Sequence, residues 1–231
     1  MFTVDDGLLD EAGALLRTLT GLRFVVGSSG TGKATICTAL ATARGVEVLY
    51  LDARIYGSWH ARFDAARHPA SRAWLDARDP LAWQLALGTA DFRAFHEAAT
   101  AEALDLLADE LGAAVGDQAA TVLLDGGFGS VAVLARAVPA DRIACLSLPP
   151  ELRGTVWTGS SDRRGFLEVV AGVSGVEDAV GRFLAMDAAL SERMAEDAAA
   201  TGIRLFERSP DEPVAVTASA VGQHLGLGPP S

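Results

Sequence analysis

Short apolar runs with little polar alternation recur along the chain and are separated by stretches with helical periodicity. Continuous apolar runs are typical of strands covered on both faces, and their alternation with helices predicts a parallel sheet joined by crossover helices. Five strands are predicted, at residues 22–27, 46–51, 120–125, 142–148 and 203–207. The sequence therefore predicts a doubly wound α/β fold with a five-stranded parallel sheet, in a single domain that spans residues 1–231.

Three segments outside the strands complete the predicted domain. An amphipathic helix at residues 6–19 is expected to pack on the sheet edge. Residues 57–116 have no strand pattern and contain a clear helical one at 91–111, which predicts a helical insertion between the second and third strands. Residues 149–175, after the fourth strand, combine Gly and Ser with three arginines, a composition that favours an irregular, mobile lid.

The segment between the first predicted strand and the next helix has a phosphate-binding pattern. Its glycines let the backbone curl so that successive N–H groups point at an anion, and the helix N-terminus adds partial positive charge. Lys33 supplies a cation for the outer phosphates. The residues predicted to bind nucleotide phosphates are Gly27, Ser28, Ser29, Gly30, Thr31, Gly32, Lys33, Ala34 and Thr35. The alternative is a structural turn that only resembles such a loop.

One position departs from the usual form of this loop. The Ser or Thr that normally follows the lysine holds Mg²⁺ through its hydroxyl, and here that residue is Ala34. Thr35 is adjacent, but one step along a helix turns a side chain by about 100°, away from the metal. Phosphate oxygens, water and a carboxylate elsewhere would still hold the ion, because Mg²⁺ commonly keeps several waters. The substitution weakens the prediction of catalysis without excluding it.

Two carboxylates are predicted at the carboxyl ends of strands, where open α/β sheets bind ligands. Asp52 ends the second strand and is expected to accept the proton of a hydroxyl that attacks the γ-phosphate; alternatively, it caps a following helical turn. Asp125 ends the apolar third strand, which is the Walker B form, and its carboxylate is predicted to hold Mg²⁺. Many buried strands end in Asp, so the prediction that Asp125 holds Mg²⁺ relies on the phosphate loop that precedes it in the chain.

Arginines in the lid segment are candidate catalytic residues. Arg153, Arg163 and Arg164 are predicted to close over the phosphates, because guanidinium groups match phosphate oxygens and neutralise the charge that develops in transfer. The alternative for each is an ordinary solvated loop arginine.

The composition and net charge of the chain limit the kinds of partner that it is expected to bind. The net charge of −11 disfavours nucleic acid, which requires a basic face. No apolar run approaches the roughly 20 residues that span a bilayer, and the N-terminal segment has acidic residues without the basic region of a signal peptide. Cys37 and Cys145 lie in apolar segments and are expected to be buried, reduced thiols. The sequence therefore predicts a cytoplasmic protein with no membrane partner.

The phosphate loop, the two strand-end aspartates and the arginine-bearing segment after the fourth strand fall in an order that resembles the P-loop small-molecule kinases. This family includes adenylate, shikimate, gluconate and chloramphenicol kinases, and the resemblance covers most of residues 22–225. It implies ATP as donor, Mg²⁺, a small hydroxylated acceptor and an acceptor site built by the insertion at 57–116. It also implies that the adenine lies between the lid arginines and residues 208–214, which begin at Arg208.

The sequence thus predicts an ATP-dependent phosphotransferase that acts on a hydroxyl of a small molecule. One alternative is a non-catalytic nucleotide-binding protein that descends from such a kinase, which Ala34 favours and the retention of Lys33, Asp52 and Asp125 disfavours. A second alternative is an ATPase or GTPase switch that uses water as acceptor. The chain has no Asn-Lys-x-Asp motif to read guanine, which argues against a GTPase.

Overall fold

The computed structural model describes residues 2–113, 120–159, 161–209 and 211–228. Its five strands are β1 (Leu22–Gly27), β2 (Glu47–Tyr50), β3 (Val122–Asp125), β4 (Ile143–Ser147) and β5 (Arg204–Glu207). All pairings are parallel, and the order across the sheet is β2-β3-β1-β4-β5. The predicted strands and their parallel arrangement are therefore confirmed, with strand ends within two residues of those expected.

Helices connect the strands and fill both insertions. They are α1 (Asp6–Thr18), α2 (Lys33–Arg44), α3 (Leu51–Ala53), α4 (Pro69–Leu75), α5 (Pro80–Ala86), α6 (Thr89–Ala113), α7 (Val131–Ala137), α8 (Pro150–Val156), α9 (Ser161–Ala171), α10 (Ala179–Thr201) and α11 (Val214–His224). A π-helical turn, Arg54–Ser58, continues α3, and a 3-10 turn, Ala140–Arg142, precedes β4. In the described part of the chain, no helix has both the length and the apolar character needed to cross a membrane.

The sheet is covered on both faces, which explains its continuous apolar strands. Successive side chains of a strand point to opposite faces. Phe24 of β1 packs with residues of α1, α6, α7 and α10, whereas its neighbour Val25 packs with residues of α2 and α11. On β3, Leu124 packs on the same side as Phe24, and Leu123 packs on the same side as Val25, so the core around the sheet consists of two clusters. Each of these four strand residues is fully buried, so a polar residue at any of them would lose its hydration.

The position predicted for the first helix is wrong. α1 packs against α6 and α7 on one face of the molecule, and it does not lie along the sheet edge. Its buried stripe includes Leu8, Leu9 and Leu16, which join the larger of the two core clusters. Amphipathic periodicity predicts that a helix buries one side, but it does not identify the elements against which that side packs.

The insertion at residues 57–116 is helical, as predicted. It contains the end of the π-helical turn, α4, α5 and α6, and no strand occurs among its described residues. Residues 114–116 of the predicted insertion lie outside the described part of the chain.

The segment predicted as an irregular lid is helical instead. It forms α8 and α9, and α8 begins with Pro150, a residue that suits the first turn of a helix. Apolar residues recur at helical spacing among the glycines of this segment, so one side of α9 can be buried. On that side, Val170 is fully buried and packs with Leu85 and Ala179. Glycine lowers helix stability by about 1 kcal/mol relative to alanine, and this tertiary packing outweighs that cost.

Candidate functional site

Three glycines give the loop between β1 and α2 its shape. Gly27, Gly30 and Gly32 have φ angles of 144°, 79° and 83°, which residues with a side chain rarely adopt. A side chain at Gly27 would also collide with the carbonyl oxygen of Leu146, and one at Gly32 would collide with the guanidinium of Arg208. Gly32 occupies the N-cap position of α2, and no described side chain caps the first turn of that helix. Such a backbone suits an anion.

Side chains of the loop hold this backbone in place. The buried hydroxyl of Thr31 donates to the carbonyl of Ser28 at 2.9 Å, and the buried hydroxyl of Ser28 donates to Ser191 on α10 at 2.9 Å. Lys33 Nζ donates to the same Ser28 carbonyl at 3.1 Å. Lys33 is the only lysine among the 19 basic residues of the chain. Because two of the loop hydroxyls serve the fold, the groups suited to a phosphate are the backbone N–H groups and the Lys33 ammonium.

Ala34 and Thr35 follow Lys33 in the first turn of α2. Both side chains are exposed, and both line a shallow depression that also includes Tyr50 and Val214. The cavity beside Lys33 has a different set of lining residues. The methyl group of Ala34 supplies no metal ligand, and the hydroxyl of Thr35 belongs to the depression rather than to that cavity.

Asp52 lies next to Lys33, although it is not the last residue of its strand. β2 ends at Tyr50, and Asp52 is in the helical turn α3 that follows. That turn has Tyr50 at its N-cap position and no side-chain cap in the described structure, so a capping role for Asp52 is not observed. A methyl group built on Gly126 would lie 3.1 Å from Asp52 Oδ2 and 3.3 Å from Lys33 Cε. The two side chains therefore converge above this glycine.

Asp125 ends β3 directly below this pair. The residue is only 6 % exposed, and burial raises the pKa of its carboxyl group from 3.8 to about 6. The negative charge of Asp52 contributes to this rise in pKa, whereas the charge of Lys33 and a hydrogen bond with the thiol of Cys37 oppose it. Burial also raises the pKa of the Cys37 thiol, so that thiol stays protonated beside the carboxylate. Asp125 is therefore ionised at neutral pH at a cost in folding stability.

This cost gives a prediction that depends on pH. Because the folded state holds the proton of Asp125 up to about pH 6 and the unfolded state loses it near 3.8, stability falls as pH rises through that interval. Asp125→Asn is expected to raise the free energy of unfolding at neutral pH by up to about 3 kcal/mol, and the gain should vanish below about pH 4. Urea unfolding across this pH range measures both effects. Asp10→Asn, at an exposed position of α1, is the matched control, and an Asp125→Asn protein that is less stable at neutral pH would contradict the prediction.

Two arginines contact the phosphate loop. Arg163 of α9 lies over Gly30, where an added side chain would stand 2.7 Å from Arg163 Nη1, and the same nitrogen donates to the carbonyl of Val156 at 3.0 Å. Arg208, just after β5, donates from Nη1 to the carbonyl of Thr31 at 3.4 Å. The Nε of Arg208 is buried and has no hydrogen-bond partner among the described residues. The structure thus brings both of these predicted residues to the loop.

The other two predicted arginines bond to backbone carbonyls close to them in the sequence. Arg153 Nε donates to Leu148 at 3.3 Å, and the exposed Arg164 donates from Nη1 to Thr158 at 2.8 Å. Neither contact joins the loop. In the region predicted to hold adenine, residues 208–214, residue 210 lies outside the described part of the chain.

Two adjoining cavities open beside the loop. The first, about 230 Å³, is lined by Lys33, Asp52 and loop residues at one end and by Trp74, Gln84 and other residues of the helical insertion at the other. The second, about 580 Å³, extends to α9 and α10. Six residues line both cavities: Ser29, Tyr56, Trp74, Gln84, His96 and Leu190. The two cavities are therefore adjacent, and we call them together the chamber.

The sequence did not identify several polar residues of the chamber. Asp187, in the middle of α10, accepts a hydrogen bond from Trp157 Nε1 at 2.8 Å. Burial raises the pKa of Asp187, while a hydrogen bond from Ser29 of the loop opposes that rise. His96 Nε2 lies 3.2 Å from Gln84 Nε2, and burial lowers the pKa of His96 to about 4, so the imidazole is neutral at neutral pH. These residues come from α5, α6 and α10, and no local spacing connects them.

A metal ion at this site would depend on the ligand as well as on the protein. Among the described residues, no group of three or more His, Cys, Asp or Glu side chains is arranged to hold a metal. Asp125 supplies one hard carboxylate oxygen beside the loop, and Asp52 lies close to it, as its effect on the pKa of Asp125 indicates. Such oxygens suit Mg²⁺, which completes its shell with phosphate oxygens and water.

The sequence matches no protein-family model and no curated protein. The geometry of the site and the chemistry of its side chains are therefore the basis for the function proposed below.

Proposed function

We propose that this protein is an ATP-dependent phosphotransferase that moves the γ-phosphate to a hydroxyl of a small molecule. The observation that carries the proposal is the convergence of Lys33 and Asp52 above Gly126, at the mouth of the chamber. The Lys33 ammonium, which can bind phosphate, and the Asp52 carboxylate, which can accept a proton, therefore lie at the same opening. The five-stranded parallel sheet, with the glycine loop after β1, supports assigning the chain to the P-loop, nucleotide-kinase-like folds.

The loop and the two arginines beside it hold the donor. The N–H groups of residues 28–34 surround the β and γ phosphates, and Lys33 exchanges its bond to the Ser28 carbonyl for phosphate oxygens. Arg163 lies over Gly30 and Arg208 donates to the carbonyl of Thr31, so both guanidinium groups are close enough to the loop to neutralise charge that develops during transfer. The reaction needs positioning and charge neutralisation more than covalent participation by the protein.

Asp125 is the residue that would hold Mg²⁺, through an ionised carboxylate beside Lys33. The bound ion supplies charge neutralisation between the phosphates. Because Ala34 offers no hydroxyl, we infer that the metal is held by fewer protein ligands than in loops that contain Ser or Thr.

Asp52 activates the acceptor. Its carboxylate takes the proton of the acceptor hydroxyl while the hydroxyl oxygen forms the new bond to the γ-phosphorus and the bond from that phosphorus to ADP breaks. Asp52 is exposed at the chamber mouth, so an acceptor reaches it without a rearrangement of the sheet.

A non-catalytic nucleotide-binding protein is the second candidate, and Ala34 is the observation that favours it. Binding of ATP by such a protein would not depend on Mg²⁺, because the missing hydroxyl removes the metal ligand that the loop normally supplies. This candidate shares the phosphate loop with the kinase proposal and differs from it in metal dependence and turnover.

Calorimetry of ATP with and without Mg²⁺, on the natural protein and on Ala34→Ser, distinguishes the two candidates. We expect the natural protein to bind ATP more tightly with Mg²⁺ and the serine variant to strengthen that dependence by about tenfold, the effect of one added metal ligand worth ~1.4 kcal/mol. Ala39→Ser, on the same helix, is the control for a hydroxyl placed away from Lys33. ATP binding that is indifferent to Mg²⁺ in the natural protein, with metal dependence only in Ala34→Ser, would support the non-catalytic candidate and overturn the kinase proposal.

A further inference from the structure

The chamber next to the loop is large enough to take the body of an organic acceptor. Its second cavity alone has about 580 Å³, within the range of small-molecule sites. The six shared lining residues place it directly beside the cavity that Lys33 and Asp52 line. A molecule whose hydroxyl reaches Asp52 therefore extends its remaining atoms into this space.

The far end of the chamber is an aromatic wall. Trp157, Phe166 and Phe183 pack with ring centroids 4.6 to 5.7 Å apart. Leu81 and Met186 line the same end. Trp74 and Tyr56, whose rings lie 5.5 Å apart, form the wall nearer to the loop. Such surfaces gain free energy by covering an aromatic or aliphatic group and offer little to a strongly hydrated one.

The charges of the chamber are negative apart from the phosphate-binding lysine. Among the described residues that line the two cavities, Lys33 is the only cation, whereas Asp52, Asp79 and Asp187 are carboxylates. Arg182 lies behind the wall and donates to the carbonyl of Leu85 at 3.0 Å. Arg163, whose charge acts on Asp187, lies over Gly30 of the phosphate loop, where it serves the donor. A carboxylate or phosphate on the acceptor would therefore meet three aspartates and compete with the donor phosphates for Lys33 and Arg163.

The uncharged polar groups of the chamber complete the pattern. The side chains of Gln84 and His96 lie on the surface shared by both cavities, 3.2 Å apart. A neutral amide and a neutral imidazole suit hydroxyl, amide or carbonyl groups, which fix the orientation of a ligand without requiring charge.

We propose that the acceptor is an alcohol that carries no anionic group and places an aromatic or apolar body in the chamber. This inference rests on the proposed phosphotransferase function and defines its substrate class. Neutral alcohols and amino alcohols share this chemistry, whereas nucleoside monophosphates, sugar phosphates and hydroxy acids do not.

Two fluorescent probes test the chamber without any need for turnover. N-phenyl-1-naphthylamine is neutral, and 8-anilino-1-naphthalenesulfonate adds a sulfonate to the same aromatic body. We expect the full-length protein to bind the neutral probe at least about tenfold more tightly, and Leu81→Arg, which adds a cation to the chamber wall, to remove that preference. Val216→Arg, at an exposed position of α11, is the matched control and should leave both affinities unchanged. Equal or tighter binding of the sulfonate by the natural protein would overturn the proposal.

Transfer of labelled γ-phosphate from ATP to matched acceptors tests the substrate class. The panel pairs phenyl-substituted alcohols and amino alcohols with hydroxy acids and phosphate esters of the same carbon skeleton. We expect transfer to the neutral and cationic members, with kcat/KM at least about 100-fold above that of the anionic ones. Preferred transfer to an anionic member would overturn the acceptor class and leave the phosphotransferase function standing. Neutral-probe binding without transfer to any alcohol would overturn the phosphotransferase function, and the acceptor class with it.

Discussion

Lys33→Ala is expected to weaken ATP binding by about 100-fold or more, because charge-assisted bonds from the ammonium to phosphate contribute roughly 3 kcal/mol. The fold is expected to persist, since the side chain is partly buried and the hydrogen bond of its Nζ is to one backbone carbonyl, that of Ser28. No other lysine occurs in the chain, so no neighbouring ammonium replaces it. Calorimetry with ATP, together with urea unfolding, measures the two quantities separately.

The control for this variant is Arg136→Ala, which removes a positive charge on α7 that pairs with Asp6. We expect its ATP affinity to stay within about twofold of the natural protein, because charges separated by more than a Debye length of about 10 Å interact weakly in salt. If a folded Lys33→Ala protein bound ATP with the affinity of the natural protein, the nucleotide would not use this loop.

Asp52→Asn is expected to lower the rate of phosphate transfer by about 100-fold or more, since the amide keeps the size of the side chain but cannot accept the proton. ATP affinity should be unchanged or higher, because the substitution removes a negative charge beside Lys33. The effect should therefore fall on kcat rather than on the KM for ATP. Initial rates with a neutral aromatic alcohol as acceptor provide the measurement.

Asp187→Asn is the matched comparison, because Asp187 is the other carboxylate of the chamber beside the loop. A rate that survives in Asp52→Asn but collapses in Asp187→Asn would assign the proton acceptor to α10 instead. Equal, small effects of both substitutions would contradict general-base catalysis by either carboxylate.

The sheet could be predicted from the sequence because its strands are buried on both faces. Phe24 and Val25 are adjacent, face opposite cores and are both fully buried, so their strand has no polar alternation to obscure it. The phosphate loop could also be predicted, since its glycines and Lys33 lie within one short stretch of the sequence. Asp52 and Asp125 follow from the rule that the carboxyl ends of parallel strands meet at one edge.

Neither the chamber nor the choice of arginine at the loop could be predicted from the sequence. The residues that flank Arg153 and Arg163 in the sequence are similar in type. Only the packing of α8 and α9 determines that Arg163, and not Arg153, contacts the loop. The glycines of this segment suggested an irregular lid, whereas buried contacts such as that of Val170 hold it helical. Asp187 lies 154 residues beyond Lys33, and only the packing of α10 brings them to one site.

The measurement that most directly tests the central claim is the NMR signal of Lys33 in the natural protein. With lysine labelled by carbon-13 at Cε, the chain gives one side-chain resonance, because Lys33 is its only lysine. We expect this resonance to shift in a saturable manner with ATP and to stay in place with adenosine, which has no phosphates for the ammonium to contact. A Lys33 resonance that does not move at millimolar ATP, with or without Mg²⁺, would contradict nucleotide binding at this loop and every function proposed from it.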